Sequence, residues 1–505
     1  MDRESTAIPL GPARRGWLAE RVARLAAAGS IFALTRAHAL AIGATFALAV
    51  LLRLHGLGSW PLEADEVFSY HRAFDLDRVN ARPLYFFIQR LVLETLPHEA
   101  LYMRLPAFAF GLAGVWATWA LGLRVFGATA GWIAAALVAL SPWHIYASQL
   151  ARYWSLVYLI ASLLYLLLPA AVDRDRRRTY LAVLALVLIG VTAHPTTVFP
   201  LAGFVLGLHL VRAPGDVAWS WPSRRAWLAL WAPLAGVALL GIGALAATGN
   251  LDALRNGDTR GIAVTIRLVP AIAQWASPVV VAAALAGGFG ILAASPADRR
   301  WAASALLGTA SGVGLLLAAS LVTAVYSDYA ISVLPLAFVT IGGAVQRLGE
   351  ALGGKGARLA VGASVAVLVA GVLPGTVSHA SDGTRLDPRP AHEHIRAVAE
   401  RGVHAPVFAP VPELHRFYSP ALPFVELPSR TTRLDRALAE NGGFWLIGFY
   451  HREGLVLAGD DVDAWIRTHC HSVLRTQRPR LDYRVYRVEL HWCGHDRRPD
   501  ARVTP

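Results

Sequence analysis

Apolar residues occur along this chain in long unbroken runs, such as "LAIGATFALAVLL" from residue 40 and "GWIAAALVALSPW" from residue 131. They follow neither the alternation of a half-buried strand nor the one-faced spacing of a surface helix. Runs of this length are what a helix needs to cross a bilayer. The pattern predicts about eleven spans, near 38–55, 102–123, 128–147, 154–171, 179–194, 197–212, 226–247, 273–294, 302–325, 329–346 and 359–377. Short polar turns separate most of them, and a longer mixed loop, 56–100, follows the first.

After about residue 378 the pattern changes. Residues 385–497 are polar and shorter in period: "AHEHIRAVAERG" and "TTRLDRALAENG" read as helices, while "APVFAP", "FWLIGFY" and "YRVYRVEL" read as strands. The expected architecture is therefore a polytopic α-helical membrane protein with a small C-terminal α/β domain. A basic segment, 1–37, precedes the membrane part (38–378), and a short tail, 498–505, ends the chain. Both cysteines, Cys470 and Cys493, fall in the C-terminal domain. In an exported domain they either pair or remain as two partly buried thiols.

Composition agrees with the pattern. The chain has 505 residues, 55% of them hydrophobic and 16% charged, against about 25% charged in an ordinary soluble protein; mean hydropathy is +0.46. The net charge of +13 comes almost wholly from arginine, Lys355 being the one lysine. The arginines sit in short clusters between apolar runs rather than on one basic face, which argues against nucleic acid as a partner. Alternate connections carry them: Arg14, Arg15, Arg21, Arg24 and Arg36, then Arg124, "DRDRRR" at 173–178, Arg224 and Arg225, "DRR" at 298–300, and Arg347, Lys355 and Arg358. The positive-inside rule makes that face cytoplasmic, and an odd number of spans then places the C-terminal domain outside the cell membrane. Residues 13–28, "ARRGWLAERVARLAAA", suit either an interfacial helix on anionic lipid or a loosely ordered basic tail. No secretory signal pattern is visible in residues 1–37.

The opposite face gathers the chemistry. "LEADEVFSYHR", residues 62–72, places Glu63, Asp65 and Glu66 beside His71 and Arg72, immediately after the first span. Acids at a membrane boundary point to function unless the loop is simply solvated. The loop continues into "NARPLYFFIQRLVLETL", with Arg82, which reads as a short amphipathic helix on the outer surface. "HIYASQLARYW", residues 144–154, sets Arg152 among His144, Tyr146, Gln149, Tyr153 and Trp154. Its guanidinium either snorkels to headgroups or holds a phosphate with its planar fork. His194 in "AHPTT" reads as a structural histidine or a ligand. In "VYSDYAISVLP", Asp328 and Tyr329 stand at a helix start, where Ser327 or Asp328 would serve as N-cap.

Several chemistries are missing. "GEALGGKG" at 349–356 has glycines and a lysine at P-loop spacing, but Gly356 replaces the Ser or Thr and no strand precedes it. There is no GxSxG elbow, HExxH, CxxC or dinucleotide fingerprint. An outer-face enzyme without a nucleotide site would draw an activated substrate from the lipid.

Taken in order, the acid pair after the first span, "RPLYFFIQRL", "MRLPAFAFGLAGVWATWALGLRVFG" and "ALVALSPWHIYASQLARYWSL" resemble the integral-membrane glycosyltransferases of the GT-C fold. The resemblance is to the broad group of protein O-mannosyltransferases, the lipid A aminoarabinose transferase and RgtA/B/C/D-like enzymes. It covers roughly 40–345 and is strongest over 60–170. It implies a polyprenyl-phosphate-linked sugar as donor and hexosyl or pentosyl transfer, with inversion, to an acceptor on the outer face. Asp65 would be the catalytic carboxylate, with Glu66 beside it, and Arg152 would lie near the donor phosphate with Tyr153, Tyr146 and Gln149. Glu63, His71, Arg72, Arg82, His144, His194, Asp328 and Tyr329 would be further substrate contacts. Two positions depart from the family pattern: Leu150 stands where an acid usually follows Ser-Gln, and Asp328-Tyr329 stands for an Arg-Tyr pair.

The chemistry is coherent. Polyprenyl phosphate is a good leaving group, so the main demand is a base for the acceptor, which a positioned carboxylate supplies at roughly 10²–10⁴-fold. An arginine balances charge on the departing phosphate. Glu66 would raise the basicity of Asp65 by like-charge repulsion, orient the acceptor, or hold a divalent cation, although no clear ligand set is visible. The competing readings are a transporter or flippase of lipid-linked intermediates and a non-catalytic assembly protein whose outer domain binds a partner. No paired halves of the transporter kind are apparent.

Overall fold

The first apolar run forms helix α1 (Arg36–Leu54), and the acid-rich stretch after it forms α2 (Ala64–Phe74). In this computed structural model the described residues are 36–75, 83–174, 177–211, 262–321, 325–428, 430–451, 454–455, 460–479 and 485–494. The expected interfacial segment 13–28, the span at 226–247 and Arg82 lie outside them.

The chain continues through α3 (Pro83–Leu93), α4 (Ala100–Val125), α5 (Ala128–Leu140), α6 (Pro142–Gln149), α7 (Trp154–Arg174), α8 (Arg177–Ala193) and, past a 3-10 turn at Pro195–Val198, α9 (Phe199–Leu210). The later elements are α10 (Ile262–Ala276), α11 (Pro278–Ala294), α12 (Arg299–Ser320), a 3-10 turn at Ser327–Val333, α13 (Leu334–Leu352) and α14 (Gly354–Asp382). Among the described residues six helices are long and apolar enough to cross a membrane, or eight if two bent pairs each count as one span. The regions expected to span at 179–194 and 197–212 form shorter apolar helices.

Both bends have a local cause. The run expected to span continuously over 128–147 turns by 61° between α5 and α6, because Pro142 has no N–H with which to continue the ladder. Ser141 caps the new helix, its hydroxyl accepting from the backbone N–H of His144 at 3.3 Å. The freed carbonyls at the end of α5 are taken up by other helices. Buried Arg53 of α1 donates to the oxygens of Val138 (3.0 Å) and Ala139 (3.2 Å), and Thr376 of α14 donates to that of Leu140 (2.5 Å). Their partners satisfy orphaned backbone acceptors that hydrocarbon cannot. The second bend, 91° between α10 and α11, falls at Ser277, a non-glycine residue with φ of +75°, followed by Pro278.

Small residues set the closest packing. A Cβ on Gly203 of α9 would sit 2.0 Å from the carbonyl oxygen of Leu307 in α12. Four residues on, Gly207 meets the backbone of Ser304, the small-xxx-small arrangement that lets membrane helices approach.

Beyond α14 come α15 (Arg389–Ala399), β1 (Val407–Ala409), α16 (Pro412–Tyr418), β2 (Phe424–Glu426), α17 (Thr431–Asn441), β3 (Gly443–His451), β4 (Gly454–Leu455), α18 (Asp460–His469), β5 (Cys470–Pro479) and β6 (Val485–Gly494). The sheet order is β2-β1-β3-β6-β5, with β4 beside β3. β1 runs parallel to β2 and β3, and β6 runs antiparallel to both β3 and β5. Cys470 and Cys493 face each other across β5 and β6 and form a disulfide, which settles the alternative left open by the sequence.

This domain does not stand apart from the membrane helices. One apolar cluster runs from Leu62, Val67, Leu93, Met103 and Ala151 into Ala391, Ile395, Val411, Leu414 and Trp445. Helix α2 is thus gripped from both sides.

Candidate active site

The acid-rich stretch is first of all a well-built helix. Asp65 and Glu66 occupy the first turn of α2 and His71 and Arg72 the last, the charge order that complements the helix dipole. The Glu66 carboxylate also reaches back to the backbone N–H of Glu63, at 3.0 Å, as in a capping box. Adjacent positions on a helix point about 100° apart, and the two acids consequently have different fates.

Glu66 is fully buried. Arg104 of α4 grips it with both arms of its fork, Nε to Oε1 and Nη2 to Oε2, each at 2.8 Å. Arg385, just past α14, donates to Oε2 at 2.6 Å, and the backbone N–H of Ala151 donates to Oε1 at 2.8 Å. Burial by itself would raise the carboxyl pKa, but Arg104 and Arg385 outweigh it and bring it down to about 2. The expectation that Glu66 works beside Asp65 in catalysis does not fit this geometry. Both oxygens are occupied, and two cations offset the charge that was to act on Asp65.

Asp65 faces the other way, with its side chain 52% exposed. Its Oδ1 lies 3.2 Å from Nη2 of Arg152, and Nη1 of Arg152 reaches the Ser69 hydroxyl at 3.3 Å. The first loop and the segment ahead of α7 therefore converge, 87 residues apart in sequence. The Arg152 guanidinium carbon lies 5.1 Å from the centre of the Tyr153 ring. The His194 ring stacks on Tyr153 at 5.0 Å, and both Trp154 and His194 pack against Tyr329, at 5.0 and 4.9 Å. Asp65, Tyr153, Tyr329 and Asp328 all act on the charge of Arg152. Asp65, Arg152, Tyr153, His194, Asp328 and Tyr329 accordingly form one constellation: an acid–base pair at the edge of an aromatic wall.

Other expected site residues lie elsewhere. The Gln149 amide donates to the carbonyls of Leu52, Arg53 and His55 at the end of α1, and its oxygen meets His379 at 2.7 Å; its groups are spent on helix packing. Tyr146 donates to Glu63 at 2.8 Å and lies against Arg385 and Trp275. His144 is fully buried, 2.7 Å from Arg53 and against Tyr158. Gln149 and His144, expected as substrate contacts, are thus held against α1, and Tyr146 against Glu63, Arg385 and Trp275. Ser327 and Asp328 do not cap their turn; Tyr326 holds the N-cap position, with no side-chain bond. His71 and Arg72 are exposed. Leu150, in the family's acid position, is buried in the apolar core, where an unpaired acid would be costly. Among the described residues no three His, Cys, Asp or Glu side chains converge as a cation site.

Sequence reasoning passed over Arg53, Arg104 and Arg385. A signal existed for the first two, since an arginine inside an apolar run, as in "LLRLH" and "YMRLPAF", is costly unless buried against acceptors. Arg385 carried none, because only the folded chain brings it to Glu66.

No protein-family model matches the sequence, and no curated protein matches it. Solved structures do. ArnT from Cupriavidus metallidurans in the apo state superposes with a TM-score of 0.55 at 15% identity, covering 88% of this chain and 97% of that one. The chain has the ArnT-like GT-C fold. The structure of ArnT bound to undecaprenyl phosphate matches with a TM-score of 0.50 at 14% identity, over 89% of this chain and 97% of that one. An ArnT-like fold, with its apolar helices, makes this a membrane protein with a small C-terminal sheet domain.

Proposed function

We propose that the protein is a membrane glycosyltransferase that moves a sugar from a polyprenyl-phosphate carrier to an acceptor at the extracytoplasmic surface. The observation that carries this reading is the contact of Asp65 with Arg152 beside the aromatic wall, within a fold also adopted by a protein that binds undecaprenyl phosphate. The arginine clusters support a cytoplasmic N-terminus and an outer C-terminal domain.

The pair supplies both ends of a single displacement. An acceptor O–H or N–H attacks the anomeric carbon, the bond to the phosphate oxygen breaks with its electron pair, and Asp65 takes the acceptor proton. Attack from the face opposite the phosphate inverts the centre. Arg152 offers a planar fork suited to two phosphate oxygens and stabilises the charge that gathers there. Before substrate arrives the two groups neutralise each other. A phosphate that draws Arg152 to itself leaves Asp65 available for the proton, so donor binding readies the base. Glu66 is a positioning residue: it fixes the backbone at Ala151, next to Arg152, while standing beside Asp65 in α2.

The test is transfer from polyprenyl-phosphate sugars in membranes holding the full-length protein. Asp65→Asn should abolish transfer yet still bind undecaprenyl phosphate, and Arg152→Gln should lose that binding. Full transfer by Asp65→Asn would remove the proposed base.

A further inference from the structure

Helix α3 carries a polar face that the mechanism does not use. Its buried stripe is Tyr85, Phe86, Gln89 and Leu93, and Tyr85 and Gln89, one turn apart, share a face. Both are fully buried. Among the described residues neither the Tyr85 hydroxyl nor either end of the Gln89 amide has a hydrogen-bond partner, and the same is true of Nε of Arg152. Leaving such a group buried and unpaired costs about 1–3 kcal/mol, so native proteins keep few of them. The Tyr85 end of this face lies near the charged pair: the Tyr85 ring meets the Tyr153 ring edge-on at 6.4 Å, Tyr153 carries the Arg152 guanidinium, and the phenol feels both Glu66 and Arg152; Gln89 follows one turn further along α3.

We propose that Tyr85 and Gln89 form the sugar-reading wall of the site and hydrogen-bond the ring hydroxyl or amino groups of the sugar on the lipid phosphate. The inference rests on the reading of Arg152 as the phosphate ligand. The chemistry of the wall selects this occupant. A phenol and a primary amide together offer donors and acceptors without net charge, which matches a polyol and gives no advantage to a phosphate, while an isoprenoid tail would leave them unpaired. A site built to hydrogen-bond a particular group rejects analogues that lack it far better than an apolar pocket does, so these two residues would set sugar choice.

The experiment measures binding to purified full-length protein in nanodiscs, using bare undecaprenyl phosphate and the same lipid carrying mannose, glucose, arabinose or aminoarabinose. For the glycosylated lipid that the wild type binds most tightly, Tyr85→Phe and Gln89→Met should each weaken binding about tenfold or more, the loss of one good hydrogen bond. Affinity for the bare lipid should stay unchanged, and thermal stability should hold or rise because an unpaired buried group is removed. Equal loss for bare and glycosylated lipid, no loss at all, or a wild type that binds no glycosylated lipid better than the bare one would overturn the inference. Arg152→Gln separates it from the parent reading: undiminished binding of bare undecaprenyl phosphate by that variant overturns the phosphate assignment, whatever Tyr85 and Gln89 do.

Discussion

The guanidinium of Arg385 lies 2.6 Å from the carboxylate of Glu66, although 319 residues separate them. The same carboxylate holds Arg104 and the backbone of Ala151. One buried acid therefore ties together the start of α2, the start of α4, the approach to α7 and the segment leaving α14. Glu66→Gln keeps the side-chain size but leaves two buried cations without an anion. Removing one member of a buried ion pair costs about 3–5 kcal/mol, so the midpoint of thermal unfolding in detergent should fall sharply. Donor binding should suffer too, because Ala151 no longer positions Arg152. A variant as stable as the wild type would show that the clamp does not hold the site.

Asp65 should behave in the opposite way. Its own side chain is 52% exposed, although that of Arg152 is only 13% exposed, so water reaches the Asp65 side of the pair and the cost of losing its charge falls below the roughly 3–5 kcal/mol of a fully buried pair. Asp65→Asn should unfold within a few degrees of the wild type while transfer falls by roughly 10²–10⁴-fold, the range of a lost general base. Arg152→Lys should recover only part of the activity, since an ammonium offers a point charge in place of a fork. The measurement is initial transfer rate against unfolding midpoint for both variants.

How far the sequence announced all this depends on the kind of signal. Apolar runs announced a membrane bundle, and period changes announced the C-terminal domain, because both are local. The meeting of Asp65 with Arg152 followed from the one-sided placement of polar loops together with the family resemblance. The division of labour between Asp65 and Glu66 was not legible. It depends on the phase of α2 against Arg104 and Arg385, and Arg385 comes from a distant segment. The places of Gln149 and His144 were not legible for a related reason: a polar residue near a membrane end serves equally well to satisfy the last carbonyls of a neighbouring helix, as Gln149 does for α1, or to meet a buried arginine, as His144 does for Arg53.

The disulfide closes a sequence separation of 23 residues between the last two strands of the sheet. Closing a loop of that size contributes about 3 kcal/mol on the chain-entropy account. A Cys470→Ser, Cys493→Ser variant should therefore unfold earlier in its C-terminal domain, read by faster amide exchange in β5 and β6. Exchange in α1 and α5 should stay as in the wild type, because Arg53 and Thr376 hold those helices independently of the sheet. Equal destabilisation of both regions would mean that the domain and the bundle unfold as one unit.

Acid should loosen the same domain through a pair of histidines. His392 Nε2 and His415 Nδ1 are 2.8 Å apart, the rings stacked at 5.1 Å, and the other nitrogen of His392 lies 3.0 Å from the Ser419 hydroxyl. From that helix the Tyr418 oxygen accepts the backbone N–H of Leu62, directly ahead of α2. Burial first, and then Arg396 against a smaller opposing pull from Asp387, bring His392 down to about 4; burial and then His392 hold His415 well below the usual histidine range. Both folded values are depressed, so the unfolded chain takes up protons first as pH falls. The stability linked to these groups is full above the unfolded value of about 6.5 and is lost as pH drops towards 4. Glu66, also depressed, adds its own loss only below about 4.5. The amide protection factors of residues 407–426, which remove the intrinsic slowing of exchange in acid, should fall between pH 6.5 and 4, before those of α4. His415→Phe, placed between Phe424 and Phe449, should start less stable at pH 8 by about 1–3 kcal/mol, because His392 loses its partner. Its further loss down to pH 4 should be about half that of the wild type, with one titrating ring in place of two. An unchanged acid slope in that variant would place the sensitivity on other groups.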